Sequence, residues 1–65
     1  MMHEVKMEIN NAPEYAFEYR YMVVTIVDGE AWFYGAWNSR EYAEAAVKES
    51  EYERLIIETG ANGQQ

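Results

Sequence analysis

Sixty-five residues without a cysteine make one small domain and exclude both disulfide staples and thiolate metal sites. Twelve acidic against five basic residues give a net charge of −7, which opposes phosphate backbones, because nucleic-acid affinity comes largely from Lys and Arg displacing counterions. A partner with a basic surface is favoured instead.

The N-terminus, Met1-Met2-His3-Glu4-Val5-Lys6, has no apolar core of a secretory signal. No run approaches the roughly 18 apolar residues needed to span a bilayer. A cytoplasmic protein is therefore expected. Val5, Met7 and Ile9 alternate with Glu4, Lys6, Glu8 and Asn10, the period of a strand with one buried face. Asn10-Asn11-Ala12-Pro13-Glu14 then breaks the pattern into a loop, since Pro13 lacks an amide donor and biases Ala12 toward extended geometry.

Alternation resumes from Tyr15 to Val27 and predicts a long second strand with a bulge or bend near Tyr19 to Tyr21. Its odd positions (Tyr15, Phe17, Tyr19, Tyr21, Val23, Thr25, Val27) carry no charge. Its even positions begin polar at Glu18 and Arg20 and turn apolar at Met22, Val24 and Ile26. Asp28-Gly29 between apolar runs predicts a two-residue type I′ hairpin, because that turn needs positive φ at both central residues. The resulting register sets Val27 opposite Glu30 and Thr25 opposite Trp32. One face of the hairpin then carries Tyr21, Val23, Thr25, Val27, Trp32 and Tyr34. The other carries Met22, Val24, Ile26, Ala31, Phe33 and Trp37. A lone helix can bury only one of these faces, so the other is expected to meet a ligand or another chain.

After Trp37 the signals become helical. Asn38 or Ser39 can cap the first free amides, and Asn38 with Glu41 has a capping-box-like spacing. Tyr42, Ala43, Ala46 and Val47 form a narrow apolar stripe, while Arg40, Glu41, Glu44, Lys48 and Glu49 face water. Helical character fades near Ser50 to Glu53, and Leu55-Ile56-Ile57 reads as a final strand. The fold class is therefore α+β, order β-β-β-α-β: a four-stranded, mostly antiparallel sheet with one helix on one face. The first three strands are expected to form a meander, and a right-handed crossover to bring the last strand parallel to the third, beside either the first or the third. Residues 3–59 make the domain, with 60–65 a disordered tail.

No catalytic or cofactor equipment stands out, and a non-enzyme without metal or cofactor is expected. His3 has neither a triad nor a ligand set around it, and the glycines spell no phosphate loop. Asp28-Gly29-Glu30 lacks the alternating oxygens of a calcium site. Three features remain. Tyr15, Phe17, Tyr19, Tyr21, Trp32 and Tyr34 supply aromatic side chains to one face, with Tyr19, Tyr21, Trp32 and Tyr34 the candidate interface or ligand-binding residues. Glu41, Glu44, Glu49, Glu51, Glu53 and Glu58 concentrate acid near the C-terminus, the first five forming a candidate partner-binding set that could imitate phosphate spacing. On the strands, Glu4, Glu8 and Glu18 are expected to share the other polar face. The doubly apolar hairpin favours self-association as a homodimer.

These features point to a small acidic binding protein that occludes a basic, nucleic-acid-binding surface of a partner protein, without binding nucleic acid or membrane itself. Small size, acidity and the lack of catalytic equipment match the type of a phage-encoded inhibitor of a host or defence protein, the host-takeover or anti-defence type, a likeness of type that no family motif carries. Two alternatives compete: a protein that sequesters a nucleotide or similar ring-bearing molecule between aromatic side chains at a dimer interface, and a structural assembly subunit.

Overall fold

The computed structural model describes residues 9–61. Val5 and Met7 of the expected first strand, together with His3, Glu4 and Glu8 and the tail from Asn62 onward, lie outside these residues. Within them the chain forms β1 (Ile9–Asn10), a short 3₁₀ helix (Glu14–Glu18), β2 (Tyr21–Val27), β3 (Glu30–Trp37), α1 (Arg40–Lys48) and β4 (Arg54–Glu58). The four strands make one mixed sheet in the order β1-β3-β2-β4, which is the α+β class and element order that the alternation and capping signals predict.

The hairpin forms as read. Asp28 and Gly29 hold φ of 53° and 80°, the left-handed pair that a type I′ turn requires. Val27 faces Glu30 and Thr25 faces Trp32. Further along, Val24 faces Phe33 but Val23 faces Gly35, so Tyr34 is an extra residue, a β-bulge in β3. Beyond a bulge the face assignment of every following residue inverts. Trp37, expected on the Met22 side, therefore lies opposite Tyr21 and packs on the helix side with Val23, Ala43, Ala46, Val47 and Ile56.

The expected long second strand is not one strand. Tyr15 to Glu18 belong to the 3₁₀ helix, whose first turn closes through the Ala16 amide donating to the Pro13 carbonyl at 3.0 Å. Pro13 followed by acidic Glu14 is a helix-start signal that competes with the aromatic alternation and wins locally. The strand begins only after a bend, which is tied down on three sides. Asn38 Oδ1 accepts from the Arg20 amide at 2.9 Å, the Thr59 hydroxyl donates to the Tyr19 carbonyl, and the Thr59 amide donates to the Arg20 carbonyl.

This segment also overturns the meander. β1 pairs with β3, in parallel, because the chain from 11 to 20 crosses a face of the sheet instead of turning back as a hairpin. Ala16 is pressed on that face at 0% exposure, in one cluster with Met22, Val24 and Ala31, flanked by Ile9, Ile26, Phe33, Ala36 and Ile57. A side chain no larger than a methyl lets the 3₁₀ backbone come this close. Both sheet faces thus receive cover from the chain itself, one from α1 and the other from the 3₁₀ segment, and the expectation of a wholly uncovered face is corrected. Tyr15 and Phe17 point outward from that segment and are exposed, so they do not line the helix-side face, and Glu18 shares no strand face.

Ser39 is the N-cap of α1, its Oγ accepting from the Tyr42 amide at 3.4 Å, while Asn38 serves the bend instead. Ala43 and Ala46 are buried against the sheet, but Tyr42, read as part of the apolar stripe, is exposed. From α1 the chain returns as β4, antiparallel to β2 with Arg54 opposite Thr25. β4 thus runs in the direction of β3, as expected. It adjoins neither β1 nor β3: β1 and β2 occupy both edges of β3, and β4 takes the outer edge of β2.

The bulge generates a sharp steric test. A Cβ added at Gly35 would stand 2.5 Å from Trp37 Cη2, and that ring is held by the helix-side core. Gly35→Ala is expected to cost about 1–3 kcal/mol through overpacking, read as a lower midpoint in thermal unfolding followed by circular dichroism.

Candidate functional site

The helix runs along the sheet from the Tyr21 end to the hairpin-turn end. At its start Arg40 reaches Glu58, opposite Tyr21, at 3.2 Å. At its finish Glu49 Oε2 accepts from the Tyr34 hydroxyl at 2.8 Å. The following loop returns beside the hairpin, the Ile26 amide donating to the Glu53 carbonyl at 2.8 Å. Three chain segments therefore meet at the turn end: the hairpin tip, the C-terminus of α1 and the loop from Glu49 to Glu53.

Arg54 clasps them together. Its Nε donates to Thr25 Oγ1 at 3.1 Å and its Nη1 to the Ala46 carbonyl at 2.7 Å. Nη1 also lies 3.7 Å from Glu49 Oε2, and the guanidinium carbon stands 3.6 Å from the centroid of the Tyr34 ring. Ala46 is in the last turn of α1, where carbonyls lack intrahelical partners and the helix dipole favours a cation. One planar fork thus satisfies the helix end, holds a threonine of β2 and stacks on an aromatic face, a combination that lysine cannot reproduce. Only 13% of the Arg54 side chain is exposed, so its charge is spent inside the fold.

What faces outward at this end is aromatic and acidic. Trp32 is 38% and Tyr34 43% exposed, joined by exposed Val27 and Tyr52. The bulge tilts Tyr34 toward Trp37, with ring centroids 6.2 Å apart. Around these rings the same end carries Asp28, Glu30, Glu49, Glu51 and Glu53, all exposed. Glu30 accepts from the Asn10 side chain at 3.2 Å, whereas Asp28, Glu51 and Glu53 form no ion pair among the described residues.

The structure divides the residues singled out from the sequence into two groups. Trp32, Tyr34, Glu49, Glu51 and Glu53 come together at the turn end. Glu41 and Glu44 lie in the first turns of α1, where Glu44 is taken up by Arg40 at 3.0 Å. The hydrogen bonds that Arg40 donates to Glu44 and to Glu58 raise its pKa and hold it charged. Tyr21 stands half-buried at that opposite end, about 13 Å from the level of Trp32 at roughly 3.3 Å per strand residue, with Arg20 and Arg40 at 5.6 and 5.9 Å from its ring centroid. Tyr19 packs edge-on against Tyr15 at 6.3 Å. The aromatic set is thus two clusters, not a continuous stripe. Asp28, Glu30, Tyr52, Val27 and Arg54 belong to the turn-end surface and were not picked out from the sequence. Arg54 was legible as a charge at a helix-facing position, in alternation with Ile56 and Glu58.

Among the described residues no group of three His, Cys, Asp or Glu side chains is placed to hold a metal ion, and no helix is long and apolar enough to cross a membrane.

The clasp can be separated from its periphery by substitution. Arg54→Ala removes charged hydrogen bonds and the ring contact together, an expected loss of about 2–3 kcal/mol in urea unfolding. Arg54→Lys should recover less than half of it. Tyr34→Phe, which deletes only the exposed bond to Glu49, should cost about 0.5 kcal/mol. Equal losses for Arg54→Ala and Tyr34→Phe would refute this ranking.

No protein-family model, curated protein or solved structure matches this chain.

Proposed function

We propose that this chain is a non-enzymatic binding protein whose turn end docks on a basic surface of a cytoplasmic partner protein and blocks it. The observation that carries this reading is the company kept by Trp32 and Tyr34. Two exposed rings are ringed by carboxylates, while the one guanidinium among them is turned inward and shielded. Tyrosine and tryptophan supply large contact area with few rotatable bonds and dominate binding energy at interfaces. Carboxylates around them steer a cationic partner and repel acidic ones.

The reaction such a surface performs is exclusion, not chemistry. An Arg- or Lys-rich groove shaped for phosphates is satisfied by carboxylates at similar spacing, and the rings then fix the pose by filling apolar recesses between the cations. Sequestering a nucleotide fits the surface less well. Its phosphates need several unspent cations, and at this end Arg54 is already committed to Thr25, Ala46, Glu49 and Tyr34, which leaves one exposed base, Lys48 of the last turn of α1, among the described residues.

Immobilised protein should retain a partner from a cell lysate at about 50 mM NaCl and release it by about 0.5 M, as ionic attraction is screened. Heparin should compete for the same partner. The double variant Glu51→Gln with Glu53→Gln should weaken retention roughly tenfold, and Trp32→Ala by tenfold or more. All three positions are exposed, so unfolding midpoints should barely move. Retention that survives high salt and both variants would overturn the proposal.

A further inference from the structure

The outer edge of β4 is built to pair with itself. In the β2–β4 ladder the Ile26 amide donates to the Glu53 carbonyl and the Thr59 amide to the Arg20 carbonyl. Those pairs fix the phase of the antiparallel register, in which Leu55 faces Val24 and Ile57 faces Met22. Residues 53, 55, 57 and 59 therefore turn their backbone groups inward to β2. By the alternation of an antiparallel ladder, Arg54, Ile56 and Glu58 turn theirs outward. β4 is the last strand in the order β1-β3-β2-β4, and among the described residues nothing hydrogen-bonds to that outward row.

Native edges are commonly guarded by a proline, a central lysine or a bulge. The β4 sequence Arg-Leu-Ile-Ile-Glu has none of these, and its β2 register is regular. Its apolar centre, Leu55-Ile56-Ile57, is instead symmetric about Ile56. Two copies laid antiparallel about a two-fold axis at Ile56 place Arg54 opposite Glu58 of the second copy, and Ile56 opposite Ile56. In this register every outward amide meets an outward carbonyl. A shift by two residues in either direction leaves outward backbone groups unpaired. Leu55, 39% exposed, and Ile57 then meet across the axis as a non-hydrogen-bonded pair, the closer of the two pair types.

We infer that the β4 edge is a homodimer interface in which two copies of the chain join their sheets through an antiparallel Ile56–Ile56 pairing. The occupant is a second copy because the outward hydrogen-bonding groups and the apolar run Leu55-Ile56-Ile57 are both symmetric about Ile56, as an isologous two-fold contact requires. The two turn-end surfaces then point in opposite directions, because the strands run antiparallel. Both remain open to partners, so the dimer stands independently of the proposed partner binding.

Mass and amide exchange on the full chain test this together. Sedimentation from about 5 μM to 1 mM should carry the mass from 7.6 kDa toward twice that value, at the modest affinity expected of a small interface. In hydrogen exchange by NMR, the Leu55 and Ile57 amides should be protected at every concentration. The Ile56 and Glu58 amides should gain protection at least tenfold as the dimer fills. Leu55→Lys, a charge at an exposed site of the edge, should leave the circular dichroism spectrum intact and hold the chain monomeric. A monomer mass throughout would overturn the inference, as would a dimer whose Ile56 amide still exchanges freely. Should Leu55→Lys fail to fold, the exchange pattern of the unaltered chain decides alone.

Discussion

One inserted residue organises this molecule. By standing as a bulge between the Val23 and Val24 levels, Tyr34 reverses the facing of the last part of β3. Without it Trp37 would point to the same side as Met22 and Phe33, where Ala16 leaves little room. With it Trp37 lies over Gly35, at a distance only a residue without Cβ tolerates, and fills the space beneath α1. The bulged residue itself is released from the ladder and leans toward the end of the helix, where it becomes the platform for Arg54. Packing on the helix side and the geometry of the turn-end surface are consequences of the same local insertion.

Economy of cover follows from chain length. Among the described residues only Met22, Val23 and Val24 of the large side chains are fully buried; the helix that roofs Val23 is 9 residues long, and Met22 and Val24 lie on the opposite face with Ala16. The chain meets this constraint with alanines. Ala43 and Ala46 bring α1 near one face, and Ala16 brings the 3₁₀ backbone onto the other. Short elements that approach closely bury β2 completely at its centre and leave the hairpin tip and both outer strands partly wet. The exposed rings lie where this cover ends, so the thin core and the available surface have one origin.

Charge is partitioned between the two ends of the sheet. At the Tyr21 end acids and bases neutralise one another: Arg40 bridges Glu44 and Glu58 while Arg20 joins it over a tyrosine ring. At the turn end the single guanidinium is consumed in joining β4 to the helix terminus, and the five exposed carboxylates around it outnumber the one exposed base, Lys48, among the described residues. Net acidity thus becomes a directed patch and not a uniform coat, which is the form of electrostatics that orients an encounter.

Much of this was readable from local rules. Asp28-Gly29 dictated its turn and hence the Val27–Glu30 register, because positive φ at two adjacent residues admits few alternatives. The alanine-rich run after Trp37 dictated α1, and the short β-branched run dictated β4, since each pattern suits one backbone period. Tertiary structure alone decided where Tyr34 would bulge, as alternation reads the same on either side of an inserted residue. It also decided that 11–20 would cross a sheet face. There the aromatic alternation and the Pro13-Glu14 start signal were nearly balanced, and the burial of Ala16 tipped the choice. The joining of Trp32, Tyr34 and Glu49 through Arg54 could not be read from spacing, because those residues meet only once β4 has paired with the outer edge of β2. Local propensity names the elements; competition for the same few edges and faces determines what touches what.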